Sequence, residues 1–153
     1  LNLSDPQMSD GEWADDHPLK AIIEHTVTQL VERVQPDLIT ITGDVAWAEH
    51  YKSYESLANL LDSTGIPWAP VWGNHDNDGG AAFIDRVADL YLTYDTCLYE
   101  KGDPSLGNGN YVIAIKEGEK TLMPLHIQCN HALVDGYHIA EFFRIFQQIN
   151  DEL

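Results

Sequence analysis

An α/β fold follows from three observations in the sequence. Short apolar runs of strand type alternate with helix-length amphipathic segments from residue 1 to residue 92. The run Asp37–Thr42 is apolar on both faces, as in a parallel sheet covered by helices. Each of three runs also ends in a polar cluster: Leu3-Ser4-Asp5-Pro6-Gln7, Thr42-Gly43-Asp44 and Gly73-Asn74-His75-Asp76. Side chains at the carboxyl ends of parallel strands converge on one sheet edge, where α/β enzymes place their sites.

Leu1 to Ser4 reads as the end of a first strand, and Asp5 to His17 as a polar loop. Leu19, Ile22, Ile23, Leu30, Val31 and Val34 recur at helical spacing after Pro18, a residue suited to a first helical turn. Pro36 stops that helix, and the second strand follows. Tyr51 to Asp62 reads as a helix that ends near Gly65. Ile66 to Trp72 is a third strand, and Pro67 and Pro70 make it irregular or place it near an edge. Ala81 to Leu92 is a third helix. Beyond Tyr94 the pattern changes. Thr96–Tyr99 and Asn110–Ile115 read as short strands around the glycine-rich loop Gly102–Gly109, and Lys116–Lys120 as a charged turn. Leu122–Cys129 is another strand. Tyr137–Ile149 is an amphipathic helix with Ile139, Phe142, Phe143, Phe146 and Ile149 on one face.

The composition narrows the partners. The 153 residues suffice for one domain with a hydrophobic core, and 44% of them are hydrophobic. Twenty-five acidic against 8 basic residues give a formal charge of −17. Phosphate backbones and anionic membranes call for Lys and Arg, so neither nucleic acid nor membrane is an expected partner. An acidic chain suits divalent cations instead. Cys97 and Cys129 are too few for a disulfide framework or a zinc–thiolate site. No apolar run is long enough to span a membrane, and no signal peptide is visible, which makes the cytoplasm the default expectation for a chain whose N-terminus reads as truncated. Oligomeric state is not legible.

Asp5, Asp44, Asn74 and His75 on one edge supply hard oxygen donors with a proton donor beside them. Singly, each cluster reads equally well as a polar turn; their recurrence at three successive strand ends favours a site. Asp5, Gly43-Asp44 and Gly73-Asn74-His75-Asp76 resemble the first three motif blocks of the calcineurin-like metallophosphoesterases, over about residues 1–117. Asp103-Pro104-Ser105-Leu106-Gly107 followed by Gly109-Asn110-Tyr111 resembles the branch related to purple acid phosphatases. The resemblance implies a sandwich of mixed sheets flanked by helices, here partial, and hydrolysis of a phosphate ester by metal-activated water. It implies divalent ions (Mn, Mg, Fe or Zn) held by Asp5, by a bridging Asp44 and by the Asn74 amide oxygen. His75 would face the phosphoryl oxygens, and Asp76 would orient His75. Gln7 stands where the family has a His, and a Gln oxygen is a weak ligand for Mn²⁺ or Mg²⁺. No Gly-His-x-His block follows Asp76, so the implied site is incomplete and its activity weak or absent.

Residues 118–153 carry a second resemblance. Leu122-Met123-Pro124-Leu125-His126-Ile127-Gln128 and His131-Ala132-Leu133-Val134-Asp135-Gly136, with the helix after them, resemble the C-terminal strand, loop and helix of chloramphenicol acetyltransferases. That resemblance implies His131 as a general base and Asp135 as a structural partner, with Asn130 where the family has another His. The chain then reads as a phosphoesterase-like domain, 1–117, joined to an acetyltransferase-like segment, 118–153. Three functions compete: a metal-dependent phosphoesterase, an acyltransferase built on His131, and a non-catalytic metal-binding module. Residue coverage favours the first. Phosphoprotein, nucleotide and small phosphate ester all remain open as substrates.

Overall fold

A computed structural model of the chain describes residues 1–117, 120–122 and 136–151. These fall into two compact units, Leu1–Ile113 and Ala114–Leu153. The first is built on three parallel strands, β1 (Asn2–Leu3), β2 (Ile39–Thr42) and β3 (Trp68–Val71), in that order across the sheet. Leu3 pairs with Ile41, and Ile41 with Pro70. Helix α1 (Pro18–Val34) joins β1 to β2, α2 (Tyr51–Asp62) joins β2 to β3, and α3 (Ala81–Tyr91) follows β3.

The helices start and stop for local reasons. His17 caps α1 by accepting the Leu19 amide at 3.3 Å, and Pro18 fills the first turn. Gln35 ends α1 in the left-handed conformation just before Pro36. Helix α2 buries Tyr54, Leu57, Ala58 and Leu61, spaced for one face. Helix α3 buries Phe83, Ile84, Val87, Ala88 and Tyr91. The two faces share a core with Ile39, Ile41 and Trp68 of the sheet. Edge-on ring contacts, Tyr54–Phe83 at 5.7 Å and Trp68–Tyr91 at 5.3 Å, fasten it.

Several strand expectations are corrected. Thr96–Tyr99 forms only an isolated bridge, Cys97 beside Trp68, because its backbone bonds to the sheet reach only the first residue of β3 while the Thr96 and Cys97 amides donate to Asp62 and Tyr94. No strand forms over 110–114: the chain there is held by side chains, with Tyr111 donating its hydroxyl to the Pro70 carbonyl. Ile115 instead opens β4 (Ile115–Glu117), which pairs antiparallel with β5 (Lys120–Leu122) in the second unit. The expected α/β class holds: among the described residues a small parallel sheet flanked by helices forms the first unit, and an antiparallel hairpin stands in the second. The remainder of the expected strand Leu122–Cys129, with His126, Asn130, His131 and Asp135, lies outside the described residues. Helix α4 (Gly136–Asp151) closes the second unit. On it Phe142 stacks on Phe146, with centroids 6.1 Å apart and an interplanar angle of 15°. Among the described residues no helix is long and apolar enough to cross a membrane.

Candidate active site

The three polar clusters meet where the strands end, and backbone bonds lock them together. Beyond β1 the chain keeps pairing with the loop after β2: the amides of Asp5, Gln7 and Met8 donate to the carbonyls of Gly43, Asp44 and Val45, at 3.2, 3.2 and 3.3 Å. Asp5 and Asp44 end their strands in the same left-handed conformation, with φ of 51° and 52°. Asp is among the few residues with a side chain that enter this region readily.

The loops after β2 and β3 touch with no room between them. A Cβ on Gly43 would lie 2.5 Å from the Gly73 amide nitrogen, and one on Gly73 would lie 2.1 Å from Asp44 Oδ1. Both positions therefore require glycine, Gly43 also for its φ of 87°. The Asp44 carboxylate lies along the third loop and accepts the His75 amide at 2.9 Å.

Asp76 binds this edge to the core. Its side chain is 0% exposed. One oxygen accepts the amides of Gly73 at 2.7 Å and Asp44 at 2.8 Å. The other accepts the Val45 amide at 3.0 Å and the Tyr54 hydroxyl at 2.8 Å. Four donors occupy all the acceptor positions that a carboxylate offers. Burial pushes the Asp76 carboxyl above the usual range, while the donors from Gly73, Tyr54, Asp44 and Val45 pull the other way. Burial likewise raises the Tyr54 hydroxyl, with the Asp76 charge adding to the effect.

The expected role of Asp76 is corrected by this arrangement. Its oxygens are filled by other donors, and His75 bonds elsewhere: imidazole Nδ1 lies 3.0 Å from Asp78 Oδ2. The reason is the 3-10 turn His75–Gly79. With three residues per turn, positions i and i+3 stand over one another and position i+1 points about a third of a turn away. The hydrogen bond to Asp78 raises the His75 pKa, and the charges of Asp78, Asp44 and Asp76 add to it against a desolvation effect of opposite sign. Asn77 ties the turn back by donating to the Gly73 carbonyl at 3.0 Å.

Of the other expected ligands, Asp5 is exposed and accepts the Ser4 hydroxyl, Gln7 is half-buried, and Asn74 is exposed. Among the described residues no cluster of three or more His, Cys, Asp or Glu is placed to hold a metal. In donor chemistry, Asp5, Asp44 and Asn74 suit a hard cation that keeps waters in its shell, as Mg²⁺ does when bound by one or two carboxylates. Tyr54 and Asp78 escaped the sequence reading. Tyr54 reads as one more apolar position of α2. His75-x-x-Asp78 was the visible signal for the second, meaningful only once the segment is known to be a 3-10 turn.

The glycine-rich segment closes against the same region. Asp103 caps a 3-10 turn, Pro104–Leu106, by accepting the Ser105 amide at 2.8 Å. Trp72 donates to the Tyr99 hydroxyl at 3.3 Å, Tyr99 donates to Asn108, and Asn108 donates to Asp85 of α3 at 3.0 Å. The residue before Gly73 is thereby braced from behind.

Phosphatase DCR2 of Saccharomyces cerevisiae is 29% identical over 112 residues, 67% of this chain and 19% of that protein. A probable cyclic nucleotide phosphodiesterase of a Psychrobacter species is 44% identical over 57 residues, 37% of this chain and 17% of that protein. A chloramphenicol acetyltransferase of Clostridium perfringens is 26% identical over 103 residues, 67% of this chain and 42% of that protein. The chain thus spans less than half the length of each of these relatives. The acetyltransferase likeness is partial and does not establish a fusion. The family described as calcineurin-like phosphoesterase matches residues 3–149, straight across the expected junction at 117/118. A match over nearly the whole chain means that the chain belongs to the calcineurin-like phosphoesterase family.

Proposed function

We propose that the chain hydrolyses phosphate esters with the help of a divalent cation held by Asp5, Asp44 and Asn74. One observation carries the reading: in a member of this family, the Asp44 carboxylate and the His75 backbone are joined at 2.9 Å on the carboxyl edge of the parallel sheet. Asp44 is 8% exposed and places its carboxyl group at that edge. Asp5 and Asn74 add an exposed carboxylate and an exposed amide oxygen, and Gln7 is a weak further donor. A bound Mn²⁺ or Mg²⁺ would polarise the phosphoryl oxygens and lower the pKa of water. His75 holds a proton beside the leaving group, and its raised pKa keeps the imidazole charged to higher pH than usual. The all-oxygen donor set favours Mn²⁺ or Mg²⁺ over Fe or Zn.

Calorimetric titration with Mn²⁺ should show weak binding at one site, lost in Asp44→Ala. With Mn²⁺ present, an aryl phosphate should be hydrolysed slowly, and His75→Ala should cut the rate by about 10²-fold or more. Unchanged Mn²⁺ binding in Asp44→Ala, or an unchanged rate in His75→Ala, refutes the proposal.

A further inference from the structure

We infer that Asp78 is the positioning residue for His75: it takes the imidazole Nδ1–H and so leaves Nε2 as the nitrogen that meets substrate. The inference deepens the phosphoesterase reading and rests on it for its catalytic consequence, though not for its structural one. Three observations carry it. The 3-10 turn His75–Gly79 stands residue 78 over residue 75, and the two side chains meet at 3.0 Å. Asp76, the sequence neighbour that would otherwise serve, has both oxygens filled by Gly73, Asp44, Val45 and Tyr54. Asp78 has no other hydrogen-bond or ion-pair partner among the described residues.

The pair contributes little to the stability of the fold. Both side chains are 46% exposed, and an ion pair so open to water is worth about 0–1 kcal/mol. Its consequence lies in the ring. An imidazole bonded through Nδ1 is biased against turning about its Cβ–Cγ bond, and its neutral form favours the proton on Nδ1. A partner that orients a metal-bound histidine is worth about 10–100-fold in affinity or activity, and the lower end of that range, about 10-fold, is the effect expected of Asp78 on His75.

Two measurements on the full chain test this. The first needs no activity. At a pH about 2 units above the His75 pKa found by NMR titration, where the ring is neutral, long-range ¹H–¹⁵N spectra of the metal-free protein report which ring nitrogen carries the proton. His75→Gln assigns the His75 signals. The parent should show His75 protonated on Nδ1, and Asp78→Ala should move the proton to Nε2. The second is hydrolysis of an aryl phosphate with Mn²⁺. Asp78→Ala should lower kcat by about 10-fold or more with KM changed less than about 2-fold, and Asp78→Asn, whose amide oxygen still accepts, should recover part of the loss. An unchanged tautomer in Asp78→Ala overturns the inference. So does an unchanged kcat in Asp78→Ala when His75→Ala loses the rate. If His75→Ala keeps the parent rate, the phosphoesterase reading falls, and the tautomer measurement still decides the role of Asp78.

Discussion

Replacing Tyr54 by Phe removes one hydroxyl from the buried carboxylate that joins the loops. The hydroxyl donates to Asp76 Oδ1 at 2.8 Å, and both side chains are 0% exposed, so water has no access to replace it. A hydrogen bond to a charged group contributes about 1.5–3 kcal/mol, and the loss should sit near about 2 kcal/mol because Oδ1 retains the Val45 amide. With a urea m-value of about 2 kcal/mol/M, the unfolding midpoint should fall by about 1 M at unchanged slope. Pairing Tyr54→Phe with Asp76→Asn in a double-mutant cycle should return a coupling of about 0.5–3 kcal/mol, as contacting residues do. A midpoint shift below about 0.2 M, or additive effects in the cycle, would show that the bond contributes nothing and refute the reasoning.

Gly73→Ala should be worse than its single methyl suggests. The new carbon meets Asp44 Oδ1 at 2.1 Å and the Asp44 amide at 2.5 Å, so backbone must move, and overpacking of this kind costs about 1–3 kcal/mol or more. Thermal denaturation and Mn²⁺ titration should fall together in that variant; an intact affinity would separate Asp44 from metal binding. In metal-free protein, NMR titration should place the His75 pKa above its ordinary value, with Asp78→Asn bringing it down. The sign is fixed by linkage: a raised histidine pKa favours the folded state at low pH, and that contribution is lost as pH rises through the folded value. An unshifted His75 in the parent would contradict the Asp78 contact. Acetyl-coenzyme A and chloramphenicol should not be turned over by the purified chain, because a base needs its nucleophile held within about 3 Å and an acyl donor beyond it. Turnover abolished by His131→Ala would promote the acyltransferase reading.

The regular elements were legible because their causes are local. Pro18 and the apolar spacing of α1, the amphipathic run Tyr51–Asp62, and Pro67 and Pro70 before and within β3 all act within a few residues. Thr96–Tyr99 was read as a strand on apolar content, yet pairing needs a partner edge, and only Trp68 offers one. That the loops after the three strands lie together was legible from strand ends alone. The partner of His75 was not: adjacency in sequence pointed to Asp76, and the local helix type, which a polar turn conceals, decided for Asp78. Tyr54 was hidden for a different reason. Its hydroxyl acts on a carboxylate 22 residues away, and nothing in an amphipathic pattern marks which aromatic will carry a polar duty.

The bonds on Asp76 have a thermodynamic corollary. The amides of Gly73, Asp44 and Val45 belong to loops, yet they are fastened to a core side chain instead of to solvent or to ligand. Their hydrogens should exchange only when the whole unit opens, as those of central strands do. The edge is therefore shaped by the chain's own bonds. In small zinc domains the free energy of metal binding is also the free energy of folding, and chelators unfold them. With the proposed cation at Asp44 the two should be decoupled: a chelator should leave the Asp44–His75 edge standing, and adding Mn²⁺ should carry almost none of the heat-capacity change that accompanies folding.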